Sequence, residues 1–182
     1  MEEYVILVDA NDRETGIMEK MQAHREARLH RAFSVFIFNR EGQLLLQQRA
    51  FSKYHSPGLW TNTCCSHPRP GETTADAAHR RMREEMGFDC EMEEAFHFTY
   101  KAAFDNNLTE HEVDHVFIGT ADQLPEINPE EVESYRYASP GDIRKEMDLN
   151  PELFTVWFRI AFDRVEEFYR QKPSAWSQGN VL

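Results

Sequence analysis

Glu110 and Glu112 stand two residues apart in the run LTEHEVDHVFIG, whose length and apolar content read as a strand. On a strand that spacing puts both carboxylates on one face and His111 on the other. Like charges side by side repel unless a cation lies between them, and a divalent metal would supply one. An exposed acidic edge is the plainer alternative. Cys64 and Cys65 are adjacent, so in an extended segment only one thiol can look to a given side. A thiol there can carry a proton. Tyr100 adds a phenol that can donate a hydrogen bond or a proton. Further on, Arg80 and Glu84, and likewise Arg81 and Glu85, are four apart, which on a helix makes two ion pairs, one turn apart. His24 and His30 are six apart, matching neither a helical step nor a short metal-knuckle spacing, and read alone they are surface histidines. Arg49 and Lys53, read alone, are solubilising charge, yet they are the basic groups nearest in sequence to the cysteines.

The elements that must hold these groups are legible from period and punctuation. Ala75, Ala78, Met82 and Met86 recur at steps of three and four, the signature of a helix with one buried face, and Gly87 closes it as a C-terminal cap. Tyr4–Val8 is a short apolar run ending in a turn at Asp9-Ala10-Asn11-Asp12. Residues 33–38 and 44–48 read as strands joined by the turn Asn39-Arg40-Glu41-Gly42, a β-hairpin. Residues 91–104 carry Phe96, Phe98, Tyr100 and Phe104 at even spacing, hence on one strand face. Prolines mark turns in the last third. There 140–147 reads as a short helix and 151–171 as a longer amphipathic one, with Phe154, Trp157, Phe158, Ala161, Phe162 and Val165 on its apolar face. Cys64 reads as a small apolar filler, Cys90 as structural, and residues 172–182 as a flexible tail.

A chain of 182 residues with one continuous pattern is expected to form a single domain spanning 1–182. Its net charge of −12 argues against nucleic acid or an anionic membrane as partner, since both would be repelled, and a phosphorylated substrate would need a local cluster of cations. Three cysteines, two of them adjacent, make no disulfide framework, and no N-terminal apolar run suggests export. A cytoplasmic protein with free thiols is expected. Monomer and homodimer both stay open.

Residues 60–88, WTNTCCSHPRPGETTADAAHRRMREEMGF, resemble the Nudix motif at Glu72, Arg80, Met82, Glu84, Glu85, Gly87 and Phe88. Two positions depart from it: Ser66 stands where the first glycine belongs, and Arg81 replaces a glutamate of the hydrolases' metal site. With PGLWTNTCCSHPRPGE and the Glu-His-Glu strand added, the chain resembles type I isopentenyl diphosphate isomerase from about Lys20 to about Trp157. The resemblance implies an α/β (α+β) Nudix-like fold, a mixed β-sheet flanked by helices. It implies interconversion of isopentenyl and dimethylallyl diphosphate through a tertiary carbocation, a step of isoprenoid biosynthesis. Cys65 would work on one face of the substrate, and Glu112 with Tyr100 on the other. His24, His30, His67, Glu110 and Glu112 would gather one divalent ion, Mn²⁺, Mg²⁺ or Zn²⁺, and Glu85 would hold a diphosphate-bound Mg²⁺. Lys20, Arg49, Lys53 and Arg81 would bind the diphosphate, and Trp157 would line the pocket, its indole face suited to a cation. A Nudix hydrolase and a non-catalytic binding domain are the rival readings.

Overall fold

The structure is a computed structural model, described here for residues 3–172. Of the expected tail at 172–182, residues 173–182 lie outside the described residues. One mixed sheet contains nine strands among them: β1 (Tyr4–Val8), β2 (Glu14–Glu19), β3 (His30–Phe38), β4 (Leu44–Arg49), β5 (Trp60–Thr61), β6 (Cys64–Ser66), β7 (Met92–Ala103), β8 (Thr109–Thr120) and β9 (Val132–Ala138). The helices are α1 (Lys20–Arg25), α2 (Thr74–Met86), α3 (Pro140–Leu149) and α4 (Val156–Gln171).

β3 is the hub. Its sequence HRAFSVFIF is buried at every position but Arg31, which is what a strand covered on both faces requires. Along one edge it pairs in parallel with β8 from His30↔Glu112 to Phe38↔Thr120. Its other edge is shared by three short partners in succession: β1 at His30, β6 at residues 33–35, and β4 at Phe38. The expected hairpin of residues 33–38 and 44–48 therefore touches at one register pair only, and β4 finds its main partner in β9.

Alternation along β3 divides the core in two. Phe33, Val35 and Ile37 pack with Ala77, Ala78, Met82 and Met86 of α2 on one face. Phe36 and Phe38 pack with Phe158, Ala161, Phe162 and Val165 of α4 and Ile143 of α3 on the other. Removing one such ring, as in Phe158→Ala, would cost about 3–5 kcal/mol. Helix α2 begins at its cap Thr73, whose hydroxyl accepts from the Asp76 amide, and ends at Gly87 in the left-handed conformation, φ 75°. A Cβ at Gly87 would meet the Glu126 carbonyl oxygen at 2.5 Å, so only glycine fits.

Several expectations need correction. Ala75 is exposed, and Ala77 takes its place on the buried face of α2. The last helix starts at Val156, because Pro151–Leu153 forms a separate 3₁₀ turn and Phe154 is extended, bridging to Trp60. His24 and His30 are not surface residues: both are wholly buried, the first on α1 and the second at the start of β3. Strands β2 and β9 went unread because ETGIME and VESYRYA lack the apolar alternation of a core strand.

Candidate active site

β6 lies antiparallel to β3, with Ser34 opposite Cys65 and Val35 opposite Cys64. Alternation does the rest: Cys64 is fully buried in the core under α2, while Cys65 faces a pocket on the α4 side and stays partly exposed. Burial pushes the Cys65 thiol up to about 12, although the nearby Arg49 guanidinium pulls the other way, so it holds its proton at neutral pH. Arg49 Nη1 lies 3.8 Å from the sulfur, and its guanidinium carbon stands 5.3 Å from the centre of the Trp157 ring. Trp157 is anchored by its indole N–H, which donates to Asn62 Oδ1 at 3.1 Å.

Across the pocket, β7 pairs with β8 so that Tyr100 stands opposite Glu112. The phenol lies 2.8 Å from Glu110 Oε2 and 2.7 Å from Glu112 Oε2, bridging the two carboxylates. Burial first, and the charges of Glu110 and Glu112 second, raise the Tyr100 hydroxyl well above its ordinary range. His111 points to the opposite face, with Nδ1 3.0 Å from the Ala27 carbonyl oxygen.

Behind the carboxylates three imidazoles converge. His24 Nδ1 is 2.7 Å from the Lys20 carbonyl oxygen and His30 Nδ1 is 2.8 Å from that of Arg28. A carbonyl only accepts, so Nδ1 carries the proton in both rings and each Nε2 presents a lone pair. Those lone pairs meet more acceptors: His30 Nε2 is 3.2 Å from His67 Nε2 and 3.3 Å from Glu112 Oε1, and His67 Nε2 is 2.9 Å from the same oxygen. His24 Nε2 is buried with no hydrogen-bond partner among the described residues. One ligand atom from each of His24, His30, His67 and Glu112 lies within 4.8 Å of all the others. A crowd of acceptors around an orphaned buried nitrogen fits a divalent ion, and the mixed nitrogen and oxygen set suits Mn²⁺, Mg²⁺ or Zn²⁺. Burial drives the His24 imidazole down to about 4 and His67 to about 3, keeping both neutral as ligands must be. Burial opposes charge on His30 as well, but without a metal a proton taken up at Nε2 would be shared with Glu112, and that hydrogen bond and the carboxylate's charge outweigh burial and raise His30. Burial would raise Glu112; in the metal-free site hydrogen bonds from protonated His30 and from His67 would reverse this and hold it well below the carboxylate range.

Glu110, the fifth expected ligand, belongs to an overlapping group with His24 and His55. His55 had no motif or spacing to announce it. It is buried, lies 2.9 Å from Glu110 Oε1 through Nε2, stacks on Phe104 at 5.0 Å and meets the Trp157 ring edge-on at 5.9 Å.

The expected diphosphate cations line the same pocket; Arg49 rests on the His55 carbonyl and the Trp157 face, and the other three are each held by a carboxylate. Lys20 pairs with Glu3 at 2.7 Å, Lys53 pairs with Glu131, and Arg81 reaches Glu84 at 2.7 Å, Glu85 at 2.5 Å and Glu131 at 3.1 Å. Glu3 and Glu131 were not anticipated, since charges this far apart in sequence share no local pattern. Arg80 does pair with Glu84, at 3.2 Å, but its stronger partner is Glu72, gripped at 2.7 and 2.8 Å. Glu85 is buried beneath Arg81, which donates to it twice, and Gln47 Nε2 donates a third bond at 3.0 Å. A carboxylate offers about four lone-pair sites, so one remains for a metal whose other ligands are phosphate oxygens and water.

The sheet and the helix bearing Glu72, Arg80, Glu84 and Glu85 define a Nudix protein, and residues 28–158 match the NUDIX domain. Two solved structures share the fold at low identity: one from Deinococcus radiodurans, with TM-score 0.72 and 22% identity over 94% of this chain and 100% of that one, and a MutT protein from Methanosarcina mazei, at 0.64 and 20% over 79% and 96%. Sequence relatives narrow the class. An isopentenyl-diphosphate Delta-isomerase from Pectobacterium atrosepticum is 53% identical over 96% of this chain and 97% of its own length. A protein of the same name from Serratia proteamaculans is 53% identical over 87% and 88%, and one from Burkholderia multivorans 50% over 90% and 93%. The chain belongs to the isopentenyl-diphosphate Delta-isomerase family within the Nudix superfamily.

Proposed function

We propose that the protein interconverts isopentenyl diphosphate and dimethylallyl diphosphate, as the names of its relatives indicate. The observation that carries the reading is the pairing of Cys65 with the Tyr100–Glu110–Glu112 group in one pocket lined by Trp157. Moving the double bond requires a proton to be added to an unactivated alkene carbon and another to be removed from a carbon across the resulting cation. An acid and a base on different sides of a flat hydrocarbon chain meet that requirement, in a cavity that keeps water from trapping the cation. In the resting protein Cys65 is a protonated thiol and Glu112 is ionised. Because the reaction is reversible, each group donates in one direction and accepts in the other. The Trp157 face offers electron density to the cation, and Tyr100 orients both carboxylates.

Lys20, Arg49, Lys53 and Arg81 would hold the diphosphate. The cavity encloses about 70 Å³. An engineered cavity that admits benzene measures about 150 Å³, so a five-carbon tail needs this one to widen. The Lys53–Glu131 and Lys20–Glu3 pairs are part of its lining, and a diphosphate competing with Glu131 and Glu3 would release them. A divalent ion bound by His24, His30, His67, Glu110 and Glu112 would neutralise the two carboxylates. A Mg²⁺ ion at Glu85 would offset charge on the diphosphate. No helix among the described residues is long and apolar enough to cross a membrane. The free thiols of Cys64, Cys65 and Cys90 suit a reducing compartment, and we place the activity in the cytoplasm on that ground.

Purified protein with Mg²⁺ and isopentenyl diphosphate should yield dimethylallyl diphosphate without releasing phosphate. Phosphate release would make it a hydrolase, and binding with neither product a non-catalytic Nudix domain.

A further inference from the structure

The ribbon of β7 and β8 has a second face. Glu110, Glu112 and Tyr100 point into the pocket, and by alternation His97 and His115, which stand opposite one another across the two strands, point to the reverse. Glu94, an odd number of residues before His97, ought to face the pocket side. A bulge between Glu94 and Phe96 inserts one extra residue and turns Glu94 to the face of His97. One ligand atom each from Glu94, His97 and His115 then falls within 4.8 Å of the other two.

His115 is the anchor of this group. It is 8% exposed, and both ring nitrogens meet carboxylates: Nε2 is 2.8 Å from Asp12 Oδ2, and Nδ1 is 2.6 Å from Glu94 Oε1. Asp12 is not free to turn away. Arg31 donates to its Oδ1 at 2.8 Å and to its backbone oxygen at 2.6 Å, clamping a residue whose backbone is left-handed, φ 59°. Without a metal a proton on Nδ1 joins the ring to Glu94; with Nε2–H held on Asp12, a divalent ion can take the place of that proton and use the Nδ1 lone pair. The His97 ring makes no hydrogen bond among the described residues, and its centre lies 5.4 Å from that of His115.

We infer that this reverse face is a second divalent metal site, with Glu94, His97 and His115 Nδ1 as ligands and Asp12 as the outer carboxylate that orients His115. Two imidazoles and one carboxylate select a borderline ion such as Zn²⁺, Co²⁺ or Ni²⁺ over Mg²⁺. Around a tetrahedral ion with bonds of about 2.0–2.1 Å the ligand atoms stand ~3.3 Å apart. Glu94 and His97 are both exposed and reach that spacing by rotating their side chains, while His115 stays where Asp12 holds it. Three protein ligands leave the remaining positions to water. An ion here ties β7 to β8 three register pairs from Tyr100↔Glu112, stapling from behind the ribbon that carries the carboxylates of the pocket.

The test is Co²⁺ binding to the full chain, by equilibrium dialysis with metal analysis and by visible absorption. His67→Ala, which weakens the pocket site, should still bind one Co²⁺, and adding His97→Ala should weaken that binding at least tenfold. Asp12→Asn removes no ligand and should cost roughly 10–100-fold in affinity, the usual effect of losing such an orienting group. His97→Ala alone should keep wild-type isomerase activity and wild-type melting in chelator, showing that the fold is intact. The inference is overturned if His67→Ala binds no Co²⁺, if His97→Ala or Asp12→Asn leaves the affinity unchanged, or if a thiolate-to-cobalt charge-transfer band shows that a cysteine holds the ion.

Discussion

The adjacent cysteines make a controlled experiment within one strand. Cys64 is 0% exposed among Val35, Met82 and Phe117, so Cys64→Ala keeps the Cβ and empties the volume of one sulfur. A small cavity of this kind costs on the order of 1 kcal/mol, which lowers the melting temperature of a chain this size by about 2–4 °C. Turnover should be unchanged. Cys65→Ala removes a proton-transfer group, and general acid–base contributions are typically ~10²–10⁴-fold, so the loss should reach the upper end of that range. Diphosphate affinity should be kept, because Arg49 remains held by the His55 carbonyl and the Trp157 face when the sulfur is gone. Cys65→Ser should retain a trace, since a hydroxyl gives up its proton less readily than a thiol. The assays are conversion of labelled isopentenyl diphosphate, isothermal titration with a non-reactive diphosphate, and calorimetric melting. An epoxide analogue of the substrate followed by peptide mapping should label Cys65 and spare Cys64. If Cys64→Ala is inactive while Cys65→Ala turns over, the facing of β6 drawn here is wrong.

Three further outcomes are expected. Chelation should lower the melting temperature, and restoring Mn²⁺ at about 100 times its Kd should return ~2.7 kcal/mol; His67→Ala and Glu110→Ala should lose both bound metal and turnover, and full metal occupancy in either would refute the shared site. In the chelated protein, burial holds His24 near 4 and His67 near 3, below an unfolded value of about 6.5. The unfolded chain therefore takes up protons first as pH falls from 6.5 toward 4, so stability present above that window is lost within it. His30, raised by Glu112, works in the opposite sense and offsets part of the loss. Melting scans at pH 7 and 5 that coincide, or a slope unchanged in a His24→Ala, His67→Ala double variant, would contradict this account. Finally, Arg81→Gln should weaken diphosphate binding more than Arg80→Gln, whose partners Glu72 and Glu84 are structural; titration of both variants decides it, and equal losses would overturn the assignment. Arg81→Glu is the poorer probe, because it sets a second carboxylate against buried Glu85.

Residues close in sequence could be placed by sequence alone. The helix from Thr74 to Gly87, the core strand around Phe33–Phe38, the common face of Glu110 and Glu112 and the opposed thiols of Cys64 and Cys65 all follow from the local period of the backbone. The cysteine segment and the Glu-His-Glu strand carried the family resemblance for the same reason: their spacing is itself the geometry. What needed the tertiary structure were meetings between distant segments. His24 and His30, read alone, gave no sign of being buried, because the groups they meet, His67 and Glu112, are brought to them by the parallel pairing of β3 with β8 and by β6 on the other edge. His55, Glu3 and Glu131 reach the pocket from a loop, a terminus and a turn, none of which carries a period. The edge strands β2 and β9 have no buried alternation to betray them, and the bulge that turns Glu94 toward His97 breaks the alternation on which a strand is read. A local rule reports which face a side chain takes, while the packing of distant segments decides what it meets there.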